Sequence, residues 1–161
     1  MKLGPAPKHY FEDGQRTVDP ETTLKRIEPL CKVAGITRVA DITGLDRIGI
    51  PVFSSIRPEA ETGAISVYNG KGASAVQARV SAIMEGLERY SGEFRGDKLA
   101  RNGLEEMLAS QNAIDPRALI LPPMSKMHVM HQPIAWVKGY DLVEEEEIMV
   151  PASAVFHPYR S

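Results

Sequence analysis

Cysteine is nearly absent from this sequence: Cys31 stands alone, which excludes an intrachain disulfide framework. A lone thiol among helically spaced apolar residues reads as a structural group before it reads as a nucleophile. Tryptophan is equally scarce, and the single copy, Trp136, reads as packing rather than as a base-stacking platform. No apolar run approaches the roughly 18 to 20 residues that a membrane span requires. Met1 to Gly14 holds Pro, His, Glu and Asp where a signal peptide needs an apolar core, so a cytoplasmic location is expected. Neither charge sign dominates: 19 Lys and Arg face 21 Asp and Glu, a formal net charge of -2. That balance gives no general reason to expect a nucleic acid or an anionic membrane as partner.

What is present suits a folded domain, with 161 residues, 43% hydrophobic and 25% charged. Residues 1–15, rich in Pro and Gly without periodicity, read as an extended arm, and 16–161 as one domain. Asp19-Pro20-Glu21 is an N-cap followed by proline at the first helical position, and Leu24, Ile27, Leu30 and Cys31 continue at helical spacing to Gly35. Pro29 inside that span predicts a kink. Three β-rich pieces follow, Thr37 to Ile42, Ile48 to Ile56 and Ala64 to Tyr68, before Asn69-Gly70-Lys71-Gly72 breaks the pattern. A long helix is predicted from Ala73 to about Glu93, and a shorter one from Leu104 to Gln111. A proline-bearing loop runs through Asp115-Pro116 and Leu121-Pro122-Pro123. Ile134 to Val143 and Ile148 to Phe156 then form a hairpin around the acidic turn Glu144 to Glu147. The fold class is α+β, helices on a mixed or antiparallel sheet.

The chemistry sits on the long helix. Ser81, Glu85 and Glu88 lie at i, i+4 and i+7, on one face at about 3.6 residues per turn. Ser74 and Ala78 extend the stripe, Val80, Met84 and Leu87 adjoin it, and Arg89 flanks it. Two carboxylates one turn apart repel, so a binding role requires a cation. Magnesium fits, being held by one or two carboxylates together with phosphate oxygens. Gly70-Lys71-Gly72 ahead of the helix offers a cation and exposed amides suited to an anion. Read by spacing alone, the same residues also describe an ordinary solvated face with Arg partners, and the glycines lack the Walker pattern.

The continuous string from Asn69 to Tyr90, with Ser-x3-Glu-x2-Glu-Arg at Ser81, Glu85, Glu88 and Arg89, resembles the N-terminal signature of the YcaO family. The upstream string from Thr43 to Pro58 resembles it too, and the likeness runs from about Arg16 to the end. The resemblance implies a YcaO-type fold that binds ATP and magnesium without a Walker loop. It implies Glu85 and Glu88 as magnesium ligands and Arg16, Thr23, Lys71, Ser81 and Glu88 on the nucleotide; lysine and serine are common in the family where Arg16 and Thr23 stand. The implied reaction adds a nucleophile to a backbone amide carbonyl, phosphorylates the oxyanion and expels phosphate. A Cys or Ser nucleophile gives an azoline, and sulfide gives a thioamide.

The wording of these segments most resembles the archaeal branch linked to thioamidation of a glycine in methyl-coenzyme M reductase. The partners so implied are a peptide or protein substrate such as the reductase alpha subunit, a TfuA-like sulfur-delivery protein and further copies of the chain. Family members carry a second Glu-x2-Glu-Arg helix in a C-terminal half that this sequence, ending Phe156-His-Pro-Tyr-Arg-Ser161, does not contain. The expectation is therefore weak Mg-ATP binding and no turnover until a second polypeptide supplies that half. A non-catalytic peptide-binding module is the reading from a different class.

Other polar residues read as structural. His128 and His131 have a metal-compatible spacing without an acidic or cysteine companion, and His157 has no motif context. Asp46, Arg47 and Arg57 are as readily explained by salt bridges as by ligand contact.

Overall fold

A computed structural model describes residues 4–11, 14–96, 98–120 and 132–159. It divides into two compact units, the first reaching Gly92 and the second beginning at Glu93. His128, His131 and the Leu121-Pro122-Pro123 segment lie outside the described residues.

In the first unit, the stretch read as an arm pairs as antiparallel strands β1 (His9–Phe11) and β2 (Gly14–Arg16), with His9 opposite Arg16. Helix α1 (Pro20–Val33) starts as its sequence dictates: the Asp19 carboxylate accepts the Thr22 N–H at 2.7 Å, and Pro20 opens the first turn. Gly35, at φ +71°, takes the left-handed conformation past the C-cap, so α1 stops there. The helix runs through Pro29 without ending there. Ile27 on one side and Ala34 and Ile36 beyond it are buried against Ile83, and this packing holds the turn that has lost a backbone hydrogen bond.

Strands β3 (Arg38–Asp41), β4 (Val52–Ile56) and β5 (Val67–Lys71) form an antiparallel sheet in that order. Two boundaries differ from the sequence reading. β4 begins at Val52 rather than Ile48, because the Asp46 carboxylate accepts the N–H groups of Ile48 and Gly49 at 2.9 Å each and Gly49 sits at φ +77°. β5 begins late and continues through Asn69, Gly70 and Lys71, the residues expected to break it.

Helix α2 (Ala75–Ser91) lies on this sheet. Ala78, Ala82 and Gly86, each one turn apart, are buried and let the helix approach the strands closely. This corrects the placement of Ala78 on the carboxylate stripe: it packs with Ala82 against Phe53. On another side of α2, Ile83 joins Ile27, Ala34 and Ile36, each buried isoleucine contributing about 1.5 to 3 kcal/mol. Ser55 ties β4 to α2 by donating its hydroxyl to the Ala82 carbonyl at 2.7 Å, fully buried. Ser55→Ala is expected to cost about 1 kcal/mol, read as a lowered urea midpoint with unchanged m value.

The second unit holds β6 (Ala100–Asn102), α3 (Leu104–Ser110), β7 (Ile134–Asp141) and β8 (Glu146–Pro151), with sheet order β6-β7-β8. Leu104, Met107, Trp136 and Met149 form its core, and the Trp136 indole donates to the Asn102 carbonyl at 3.1 Å. The hairpin turn is built by Asp141, whose carboxylate accepts the Val143 and Glu144 N–H groups, which hold it below the ordinary carboxylate range. Glu146 and Glu147 belong to the strand, not the turn, and have partners: Asn112 donates to Glu146 at 2.7 Å and Lys138 pairs with Glu147 at 3.0 Å. Helices over antiparallel sheets make the chain α+β, as expected. No described helix is long and apolar enough to cross a membrane.

Candidate functional site

Within the first unit, a cleft of about 870 Å³ opens along α2. Arg16 enters it from the end of β2, Thr23 from the start of α1, Lys71 from the end of β5, and Ser81, Glu85 and Glu88 from α2. All six residues singled out from the sequence therefore line one cleft, although 72 positions separate the first from the last. The residues between them explain how. The β1–β2 pairing carries Arg16 to the entrance of α1, and the capped start of α1 fixes Thr23, whose hydroxyl donates to the Asp19 carbonyl at 3.0 Å. The Asp19 carboxyl is held below its usual range by the Thr22 backbone and side-chain hydrogen bonds, so it stays an ionised cap at neutral pH.

Lys71, Ser81 and Glu88 are exposed, and Glu85 is partly so. Arg89 approaches Glu85 at 3.9 Å one turn away, a contact between side chains 46% and 37% exposed and correspondingly weak. Among the described residues, Glu88, Lys71 and Arg16 form no ion pair. Arg79, by contrast, pairs with Glu28 of α1 at 2.8 Å and so serves helix packing. Of the two carboxylates, Glu85 therefore has a weak Arg partner, whereas Glu88 is solvated and leaves its charge available to a ligand. Among the described residues no cluster of three or more His, Cys, Asp or Glu forms a self-sufficient metal site. Two carboxylates on one helix face fit a hard cation that takes its remaining oxygens from water and phosphate.

The glycines flanking Lys71 do something other than expected. Gly70 lies in the ladder opposite Phe53, where a Cβ would overlap the Ala82 nitrogen and the Ala78 carbonyl oxygen, and a Cβ on Gly72 would meet Gln77 and the Ala78 nitrogen. Their amides are engaged too: Gly72 donates to Pro51, Ala73 to the Gln77 side chain at 3.0 Å, and Gln77 to the Ser74 cap at 3.3 Å. Those three amides are therefore not available to an anion; the glycines let strand and helix touch, and Lys71 supplies the charge. The cleft's apolar wall combines Val80, Met84 and Leu87, read from the sequence as adjoining the stripe, with Ile27 and Leu30 of α1, which sequence reasoning did not place there. Sequence reasoning also missed Gln77, whose signal was its position one turn before Ser81.

Arg57, Asp46 and Cys31 resolve as structural. Arg57 is buried, donates from Nε to the Ala34 carbonyl at 2.6 Å and stacks over the Tyr90 ring at 5.2 Å. Asp46 caps its own loop. Burial, with the Glu28 charge nearby, pushes the Cys31 thiol above its ordinary value, away from thiolate chemistry.

Cations and carboxylates lining one cleft beside an apolar wall suit a phosphorylated ligand that arrives with a divalent metal. The family model of the YcaO cyclodehydratases, described as ATP- and Mg2+-binding, matches residues 69–161, more than half of the chain, and the chain belongs to the YcaO family. A protein of Methanothermobacter thermautotrophicus is 45% identical over 144 residues, 89% of this chain and 36% of the relative. A Rhizobium leguminosarum protein encoded in the tfuA 3′ region is 34% identical, covering 84% of this chain and 32% of the relative. The chain thus spans about a third of the length of the curated relatives it matches. Among solved structures, YcaO from Methanopyrus kandleri bound with AMPPCP and Mg2+ matches with a TM-score of 0.68 at 30% identity, over 96% of this chain and 38% of that one. A heterocyclase in complex with substrate and cofactor matches with a TM-score of 0.75 over 100% of this chain and 25% of that one; at 22% identity the likeness is one of fold.

Proposed function

We propose that this chain provides one wall of the ATP and magnesium site of an enzyme that activates a peptide-backbone amide, with thioamide formation on a protein glycine as its reaction. The observation that carries the reading is the convergence of Arg16, Thr23, Lys71, Ser81, Glu85 and Glu88 on one cleft. Glu85 and Glu88 hold Mg2+, Lys71 and Arg16 meet phosphate oxygens, and the Thr23 and Ser81 hydroxyls contact the nucleotide, with Glu88 facing both metal and nucleotide. Bound there, the metal neutralises phosphate charge and orients the transferred phosphoryl group. The reaction balances as follows: sulfide adds to the amide carbon, the carbonyl oxygen takes the γ-phosphoryl group of ATP, and phosphate departs with that oxygen as the C=S bond forms. ADP and phosphate are the coproducts.

Sulfide as nucleophile, a TfuA-like delivery partner and the methyl-coenzyme M reductase alpha subunit as substrate are supported by the tfuA-region location of the Rhizobium relative and by the methanogen relative. The family description as cyclodehydratases favours azoline formation as the second reading. Intact mass of the modified peptide separates them: a thioamide exchanges oxygen for sulfur, whereas an azoline loses one water. The reading places the protein in the cytoplasm, where ATP is supplied.

Because two carboxylates leave most of the magnesium coordination to other groups, the purified chain is expected to bind Mg-ATP weakly in calorimetry. Tight binding and turnover are expected when the remaining family-length polypeptide is added. Robust ATP hydrolysis by the chain alone would overturn this.

A further inference from the structure

The open edge of β5 offers a place for the peptide whose backbone is modified, and the ladder shows which groups face outward. Arg57 donates to the Ser66 carbonyl at 2.8 Å, Gly72 donates to the Pro51 carbonyl at 3.3 Å, and the register between them pairs Ser55 with Tyr68 and Phe53 with Gly70. Hydrogen-bonded and non-hydrogen-bonded pairs alternate in an antiparallel ladder. Tyr68 and Gly70 therefore bond to β4, while Val67, Asn69 and Lys71 turn their N–H and C=O groups to the opposite edge. Among the described residues no strand pairs with that edge.

The edge lies beside the site. A Cβ on Gly86 would meet Ser55 of β4, whereas one on Gly70 of β5 would strike α2 between Ala78 and Ala82. Going round α2 from Gly86 through Ala82 and Ala78, the next positions are Glu85, Ser81 and Glu88. The carboxylate stripe therefore follows β5 on the side away from β4, and the free edge ends at Lys71, which itself lines the cleft.

We propose that an extended peptide segment adds to the free edge of β5, antiparallel or parallel, and is thereby led past Lys71 along the Ser81–Glu85–Glu88 stripe. Recognition through main-chain groups suits an enzyme that acts on a backbone amide, since it fixes the amide while tolerating varied side chains. Continuity between this edge and the cleft selects a peptide substrate as occupant, so the inference rests on the proposed function.

The test is amide NMR of the chain titrated with the blocked peptide acetyl-Thr-Gly-Thr-Gly-Thr-amide. Val67, Asn69 and Lys71 amides are expected to exchange rapidly in the free chain, then to shift and gain protection with peptide, while Tyr68 and Gly70 are protected throughout. Asn69→Pro removes one outward donor and leaves both inward bonds. It is expected to weaken the peptide at least tenfold, whereas Asn69→Ala, which keeps the donor, binds as the parent. Outward amides already protected without peptide would overturn the proposal, because a second copy or another strand then occupies the edge. So would undiminished binding by Asn69→Pro. A parallel titration with concentrated Mg-ATP separates the two readings: lost shifts at Ser81, Glu85 and Glu88 with peptide shifts intact would sink the nucleotide role, and the reverse pattern would sink the peptide edge.

Discussion

Replacing Glu85 and Glu88 together by glutamine is expected to abolish magnesium-dependent ATP consumption in the complemented enzyme, a loss of about a thousandfold or more. That is the scale on which several kcal/mol of metal-mediated charge stabilisation converts to rate. The same variant is expected to unfold at the parent urea midpoint or slightly above it. Glu88 is exposed and without an ion pair among the described residues, Glu85 has only the 3.9 Å approach of Arg89, and the substitutions relieve repulsion between like charges one turn apart. Loss of activity with retained stability separates a binding role from a structural one. Full activity in the double variant would end the proposal that these carboxylates hold the metal. A large drop in stability would instead assign them to packing, which their exposure argues against.

The parts of this protein that sequence conveys are those set by local rules. Asp19 and Pro20 start α1, Gly35 ends it, and the spacing of Ser81, Glu85 and Glu88 puts three cleft residues on one face of α2; each follows from backbone chemistry within a few residues. What local rules do not convey is decided by tertiary contacts. Pro29 is tolerated because the packing of Ile27 and its neighbours outweighs one missing hydrogen bond. Ala78 reads as a small residue leaving room on the stripe, yet its smallness serves contact with the sheet. The apolar wall contributed by Leu30 was not legible at all, since only the pairing of α1 with α2 brings it opposite Met84. Arg16 and Thr23 joined the candidate set through family resemblance rather than spacing, because nothing local to β2 or α1 announces a partner 48 positions further on in Lys71, counting from Thr23.

Gly70→Ala is the substitution expected to damage the fold most, and it also decides what the glycines around Lys71 are for. An added Cβ would overlap the Ala82 nitrogen, the Ala78 carbonyl oxygen and the Ser81 carbonyl carbon. All three are helix backbone atoms, which cannot rotate aside as a side chain would. Relief requires β5 to lift off α2, opening the contact among Phe53, Ala78 and Ala82. Overpacking a core ordinarily costs about 1 to 3 kcal/mol, and a backbone obstacle places this variant at about 3 kcal/mol or beyond. A domain's whole stability is about 5 to 15 kcal/mol, so the loss should appear as a large fall in the urea midpoint of the chain. Gly44→Ala is the control: nothing lies within 4 Å of a Cβ there, and it should unfold like the parent. If Gly70→Ala instead kept the parent midpoint and lost only Mg-ATP binding, the glycine would be serving close approach of a phosphate rather than of a helix. The anion-cradle reading of Gly70-Lys71-Gly72 would then be restored, and β5 would have to leave α2 more room than the structure gives it.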